Sequence, residues 1–167
     1  MDVRRFLAFS DSISERWWDS LARVPAEALR ANVDFSYFTP LGILTHVANV
    51  EMAWADVIAG EPPEWERHKP TEFTGLGAVR SFARQARART HGLVASLDDA
   101  GLLRLCGPVD PTHAESRPAR SHYTVEEILF HILTHEHLHR GEVLASLWHQ
   151  NVEPPPSNYV DYGTKLR

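Results

Sequence analysis

The chain is 167 residues long, with 43% hydrophobic residues and one cysteine, Cys106. That suits one domain, spanning residues 1–167, with a core large enough to need neither disulfides nor a structural metal. Lys and Arg total 17 against 22 Asp and Glu, a formal charge of -5, so the overall field does not steer the protein towards phosphate backbones, and a nucleic-acid partner is not expected.

No run of about eighteen uncharged apolar residues occurs, so no membrane span is expected. The start, Met1-Asp2-Val3-Arg4-Arg5-Phe6, reaches Ser10-Asp11-Ser12 before an adequate signal-peptide apolar region. A cytoplasmic protein is the expectation.

Residues 2–24 carry Phe6, Phe9, Ile13, Trp17, Leu21 and Val24 at steps of three and four, the stripe of an amphipathic helix. Pro25 and the polar stretch through Asn32 and Asp34 interrupt it. Thr39-Pro40 then supplies an N-cap followed by proline at the first helical position, predicting a second helix that runs to about Ala59. Gly60 closes it, and Pro62-Pro63 prevent continuation. Within this helix Ile43, His46, Val50, Ala53 and Val57 share a stripe, so His46 faces inward. A buried imidazole needs partners for its nitrogens, and the candidates are a carbonyl, a side chain from another helix, or a metal.

Residues 61–74 read as a loop containing Trp65 and Pro70. Thr74-Gly75 lead into a third helix with Val79, Phe82, Ala86, Thr90, Leu93 and Leu97 inward, ending near Asp98. Its other side carries Arg80, Arg84, Arg87 and Arg89, expected to be a solvated face. Residues 99–123 hold Gly101, Gly107, Pro108, Pro111 and Pro118 without a sustained period, a long loop in which Leu102 to Cys106 admit a short strand of a small hairpin. Cys106 has no neighbouring base in the sequence and reads as a passive thiol.

Thr124-Val125-Glu126-Glu127 forms a capping box at the start of a fourth helix. This helix contains His131-Ile132-Leu133-Thr134-His135-Glu136-His137-Leu138-His139-Arg140-Gly141-Glu142. Residues four apart lie one above the other, so His131, His135 and His139 form a ladder while His137 points elsewhere. Val125, Ile128, Ile132 and Val143 share the sector of His135 and His139, which therefore face the core, with His131 at its edge. An i, i+4 histidine pair can present two imidazole nitrogens to one divalent ion. Histidines on helices are also solvated or hydrogen-bonded core residues, but three in register weigh towards metal. Glu142, three residues past His139, is either a fourth ligand or an acceptor for a ligand's other nitrogen proton. The tail beyond Gln150, with Pro154-Pro155-Pro156, is not helical and is expected to lay Tyr159 and Tyr162 on the bundle.

Leu44-Thr45-His46-Val47-Ala48-Asn49-Val50-Glu51 resembles the segment of the DinB-like (DinB/YfiT-like) superfamily in which a histidine is followed five residues later by glutamate. His135-Glu136-His137-Leu138-His139-Arg140-Gly141-Glu142 resembles its His-x-x-x-His-Arg-Gly-Gln segment, departing from it with Glu142 in place of glutamine. The early aromatic helix and the stretch from Val152-Glu153-Pro154-Pro155 through Asp161-Tyr162 extend the likeness over nearly the whole chain. The resemblance implies an all-α four-helix bundle of up-down-down-up topology with one long crossover. It also implies a divalent metal held by His46, His135 and His139. Family members with known activity are S-transferases and isomerases that use low-molecular-weight thiols such as bacillithiol or mycothiol. The family name records DNA-damage induction and implies no DNA binding.

Two helices thus each direct imidazoles inward, and bundle cores are where facing helices build metal sites. Three neutral ligands leave a coordination position open, so a zinc or nickel ion there can acidify a bound water or thiol and polarise an electrophile. The expected function is a metal-dependent enzyme activating a thiol or water against a small electrophilic substrate, with His131 and Glu142 as candidate catalytic residues for proton transfer or orientation. The expected partners are a small-molecule substrate, a low-molecular-weight thiol among them, and a second copy in a homodimer. The rival reading is a non-catalytic stress-response module stabilised by its metal; a hydrolase differs from the transferase only in the nucleophile.

Overall fold

A computed structural model describes residues 2–34, 36–110 and 121–155. The expected packing of Tyr159 and Tyr162 lies outside the described residues. Four long helices carry the fold: α1 (Val3–Leu21), α3 (Pro40–Ala59), α4 (Leu76–Val94) and α6 (Val125–His149), with short α2 (Ala26–Arg30) and α5 (Asp99–Leu102) between them. The chain is all-α in class; among the described residues its strands are the two-residue β1 (Leu105–Cys106) and β2 (Tyr123–Thr124), which pair antiparallel just before α6.

Local chemistry explains the boundaries. The Thr39 hydroxyl accepts from the Gly42 amide with Pro40 at the first helical position, and Gly60 ends α3 at φ 79°, where a side chain would be strained. Thr124 and Glu127 exchange the two hydrogen bonds of a capping box at the start of α6. The third helix stops at Val94, short of the expected Asp98, because Asp98 instead accepts from the Gly101 amide and caps α5. The stretch after Pro25 is not uniformly irregular: Glu27 sits in the first turn of α2, which buries Ala28 and Leu29.

Side-chain pairs give the helix directions. Phe6 meets Phe130 and Ser10 meets Glu136, so α1 and α6 run the same way. Glu15 meets Arg84 whereas Asp11 meets Arg87 and His91, so α4 opposes α1. His46 meets His135 and Trp54 meets His131, so α3 opposes α6. The long connection from α3 to α4 is pinned where Asn49 exchanges hydrogen bonds with the backbone of His68 at 2.6 and 3.0 Å.

Helix α3 is the axis of the packing. The expected apolar stripe is present, but of the whole helix only Val47 and Ala59 escape burial, as befits an element hydrophobic on every side. One apolar cluster gathers Val57, Leu129 and Leu133 at one end of the bundle, and another gathers Trp17, Ile43 and Leu147 at the other.

Between them lies a charged layer, and here the expectation of a solvated arginine face holds for Arg84, which is exposed, but not for Arg87. Arg87 is largely buried and donates to Glu51 at 2.8 Å, Glu136 at 2.9 Å and Asp11 at 3.1 Å, tying α4 to the other three long helices. Arg140 donates to the second oxygen of Glu136. Burial alone would raise the Glu136 pKa, but Arg140 and Arg87 outweigh it and hold the carboxyl down to about 2. Burial wins at Glu51 and raises its pKa despite Arg87. Arg89 reaches buried Asp56, so it too is engaged.

Candidate metal centre

Three imidazoles converge between α3 and α6. His46 Nε2 lies 3.2 Å from His135 Nε2, which lies 3.0 Å from His139 Nε2. One nitrogen from each falls within 4.8 Å of the others. The helical register produces this: His135 and His139 stack one turn apart, and antiparallel α3 brings His46 opposite them. His46 and His139 are buried and His135 is half-buried.

The hydrogen-bond chemistry of the triad fits a cation. A carboxylate only accepts, so the 2.7 Å contact between His139 Nδ1 and Glu142 Oε2 requires the proton on Nδ1 and leaves the Nε2 lone pair facing the triad. Three Nε2 atoms crowded together then share at most a bifurcated proton, and the remaining lone pairs repel. A single ion accepts all three, and nitrogens around a tetrahedral centre at ~2.1 Å lie about 3.4 Å apart, close to the spacing found here. Burial first, then the neighbouring His139, pushes His46 down to about 3, and burial with the other imidazoles depresses His135 to about 2. Both are therefore neutral at ordinary pH, the state a metal requires.

The surrounding residues were only partly visible from the sequence. Tyr37, from the connection between α2 and α3, stacks on His46 with ring centres 3.8 Å apart. Ser36, in the left-handed region at φ 51°, donates to Glu142 Oε2 at 2.6 Å. No periodicity marks an irregular connection, so neither contact left a signal in the sequence. Glu142 touches His139 rather than joining the triad. His131 is exposed, its ring 5.5 Å from that of His135 and 5.3 Å from Trp54, and it stays outside the convergent group. His137 turns away to pack on Phe6 and Phe9. Glu51 also turns away from the triad, into the charged layer. Cys106 is buried, and that burial raises its thiol pKa, in keeping with a passive role.

Burying neutral imidazoles makes the metal-free protein acid-sensitive in a definite direction. With folded pKa values of about 3 and about 2 against ~6.5 unfolded, the unfolded state binds more protons between these limits. The stability is complete above about pH 6.5 and falls as pH drops, by at most about 1.4 kcal/mol per pH unit for each histidine. Urea denaturation at pH 7, 6 and 5 with chelator present should show this slope, and His46→Gln should make it shallower. An identical slope in the variant would count against neutral burial of His46.

Among the described residues no helix is long and apolar enough to cross a membrane. No curated protein matches the chain. The model of the DinB family matches residues 2–165, and with the histidine triad assembled from its two most recognisable segments, the chain belongs to the DinB family.

Proposed function

We propose that this DinB family protein is a metal-dependent enzyme in which His46, His135 and His139 hold a divalent ion, zinc or nickel, and a low-molecular-weight thiol or water attacks a small electrophilic substrate. The observation that carries the reading is the convergence of three Nε2 atoms, the lone pair of one of them committed to that direction by Glu142. A divalent cation in that position supplies Lewis acidity, which acidifies a thiol or water and polarises an electrophile. Three protein nitrogens fall one short of the closed four-ligand shell typical of structural zinc, and this favours a reactive over a structural role.

The chain's own residues have separable tasks. Glu142 positions His139 and raises its basicity through Nδ1, and Ser36 holds the carboxylate in turn. Tyr37 covers the outer face of His46, limiting water there. His131, open to solvent beside the triad but with its ring packed near Trp54 and His135, where partial desolvation lowers its pKa, is the group suited to take the thiol or water proton. Thiol transfer is the preferred reading over hydrolysis because the family resemblance points to thiol-using members.

Elemental analysis of protein purified without chelator should find one zinc or nickel per chain. The loaded protein should then accelerate loss of a small thiol in the presence of an electrophile such as monobromobimane. Metal loading without any thiol- or water-dependent turnover across a panel of electrophiles would defeat the enzyme reading.

Glu142→Gln restores the residue of the resembling motif and removes the charge behind His139 while keeping an acceptor in reach. Metal affinity, followed by calorimetric titration, should weaken by about tenfold with the melting curve little changed. Unaltered affinity would mean the carboxylate does not tune the site.

A further inference from the structure

The connection that enters α3 is held in a conformation its own residues do not favour. Asp34, Ser36 and Phe38 have positive φ, at 54°, 51° and 67°. A bulky aromatic residue in the left-handed region is strained, and Phe38 is 58% exposed, so burial of its ring does not offset the cost. The backbone supplies the reason. At Phe38 the chain doubles back, and the Tyr37 carbonyl accepts from the Thr39 amide at 2.8 Å in a three-residue turn. The Phe38 carbonyl accepts from the Val33 amide, also at 2.8 Å.

The turned carbonyl of Tyr37 rests on α3 at Gly42. A Cβ at that position would lie 2.2 Å from the Tyr37 oxygen, far inside contact distance, and 3.3 Å from Pro70 Cβ of the connection between α3 and α4. The obstructing atom belongs to the backbone, so no side-chain rotation relieves the clash. Glycine within a helix is ordinarily less favourable than alanine; here the missing side chain lets the connection lie against the helix. With the carbonyl so placed, its neighbours fall on two of the three imidazoles. The Tyr37 ring stacks on His46 at an interplanar angle of 15° and stands edge-on to His139 at 6.1 Å. Ser36 donates to Glu142 Oε2, the same oxygen that accepts from His139 Nδ1. Of the three triad residues His135 alone is half-buried, and the exposed His131 stands beside it.

We infer that residues 36–39 are a strap seated on Gly42, and that Gly42 is a positioning residue for the histidine triad. It fixes where Tyr37 meets His46 and where Ser36 holds the carboxylate behind His139. The strap thereby closes the His46 and His139 sides of the triad and leaves the side of His135 and His131 as the approach. The effect on metal affinity rests on the metal reading proposed above; the seat itself does not.

Two measurements on the full chain test this, with Gly77→Ala as control, because a Cβ at Gly77 meets nothing within 4 Å. The first is the histidine-ring proton spectrum of chelated protein, with the His46 signals assigned by their loss in His46→Gln. A stacked tyrosine displaces these signals upfield. Tyr37→Leu marks where they lie without the stack, and Gly42→Ala should move them there while Gly77→Ala leaves them in place. The second is calorimetric zinc titration. Gly42→Ala should weaken zinc by about tenfold, as loss of an outer partner of a ligand does. Ser36→Ala should cost several-fold in the wild type and nothing further in Gly42→Ala, because the strap is already displaced. A glycine that mattered only to folding would give additive losses, and additivity overturns the inference. Retention of the His46 displacement in Gly42→Ala, or its loss with zinc affinity intact, overturns it equally. If Gly42→Ala does not fold, Tyr37→Leu and Ser36→Ala decide: weaker zinc in both upholds the strap, and unchanged zinc in both overturns it. A wild type that binds no zinc, with the His46 displacement present and lost in Gly42→Ala, would defeat the metal reading and uphold the seat.

Discussion

Replacing Arg87 by methionine should lower the unfolding free energy by about 3–5 kcal/mol, the range for removing one partner of a buried ion network. The stem volume is kept, so the loss is electrostatic: among the described residues Glu51 retains only the Thr90 hydroxyl at 3.0 Å, and Glu136 keeps Arg140 and Ser10. A pH signature separates this from poor packing. Glu51 is already pushed up by burial, and without Arg87 its pKa rises further. Its folded pKa then exceeds the unfolded one by more than in wild type, so protonation stabilises the variant's native state more, and the deficit relative to wild type should shrink as pH falls from 8 towards 5. Denaturant titrations across that range measure it. A deficit independent of pH would assign the loss to packing, and a deficit under about 1 kcal/mol would remove Arg87 from the centre of the fold.

The same residue shows where sequence reasoning stopped. Arg80, Arg84, Arg87 and Arg89 have the pattern of a solvated helix face, and nothing local distinguishes Arg87 from the others. Its partners are Asp11, Glu51 and Glu136 on three other helices, so its burial is a property of the assembled bundle. The three convergent histidines were legible for the opposite reason. His135 and His139 share a face by helical arithmetic, and the phase of Ile43, Val50 and Val57 turns His46 inward, so each needs only its own helix to declare its direction. The α3 and α6 boundaries were legible because Thr39-Pro40, Gly60 and the Thr124 box satisfy local backbone groups. Tyr37 and Ser36 were not, because they reach the site from a connection whose backbone enters the left-handed region at Asp34, Ser36 and Phe38. No residue-type pattern specifies such a path for non-glycine residues.

His139→Ala, set against His137→Ala, separates an enzyme from a metal-stabilised module. His139 contributes one of the three convergent nitrogens and is the one fixed by Glu142, so its loss should weaken metal binding by orders of magnitude. His137 packs on Phe6 and Phe9 instead, and its replacement should cost a modest amount of stability and leave metal affinity unchanged. The two readings diverge on what else His139→Ala does. The apolar clusters at either end of the bundle and the Arg87 layer between them do not include the triad, so a chain of this size should fold without metal. On that account the variant keeps its helical signal, loses a degree or a few of melting temperature, and loses all metal-dependent turnover. If the ion is structural, its binding free energy is folding free energy. The variant and the chelated wild type should then both lose a large part of their thermal stability, by matching amounts, and that result would transfer the triad from catalysis to scaffolding.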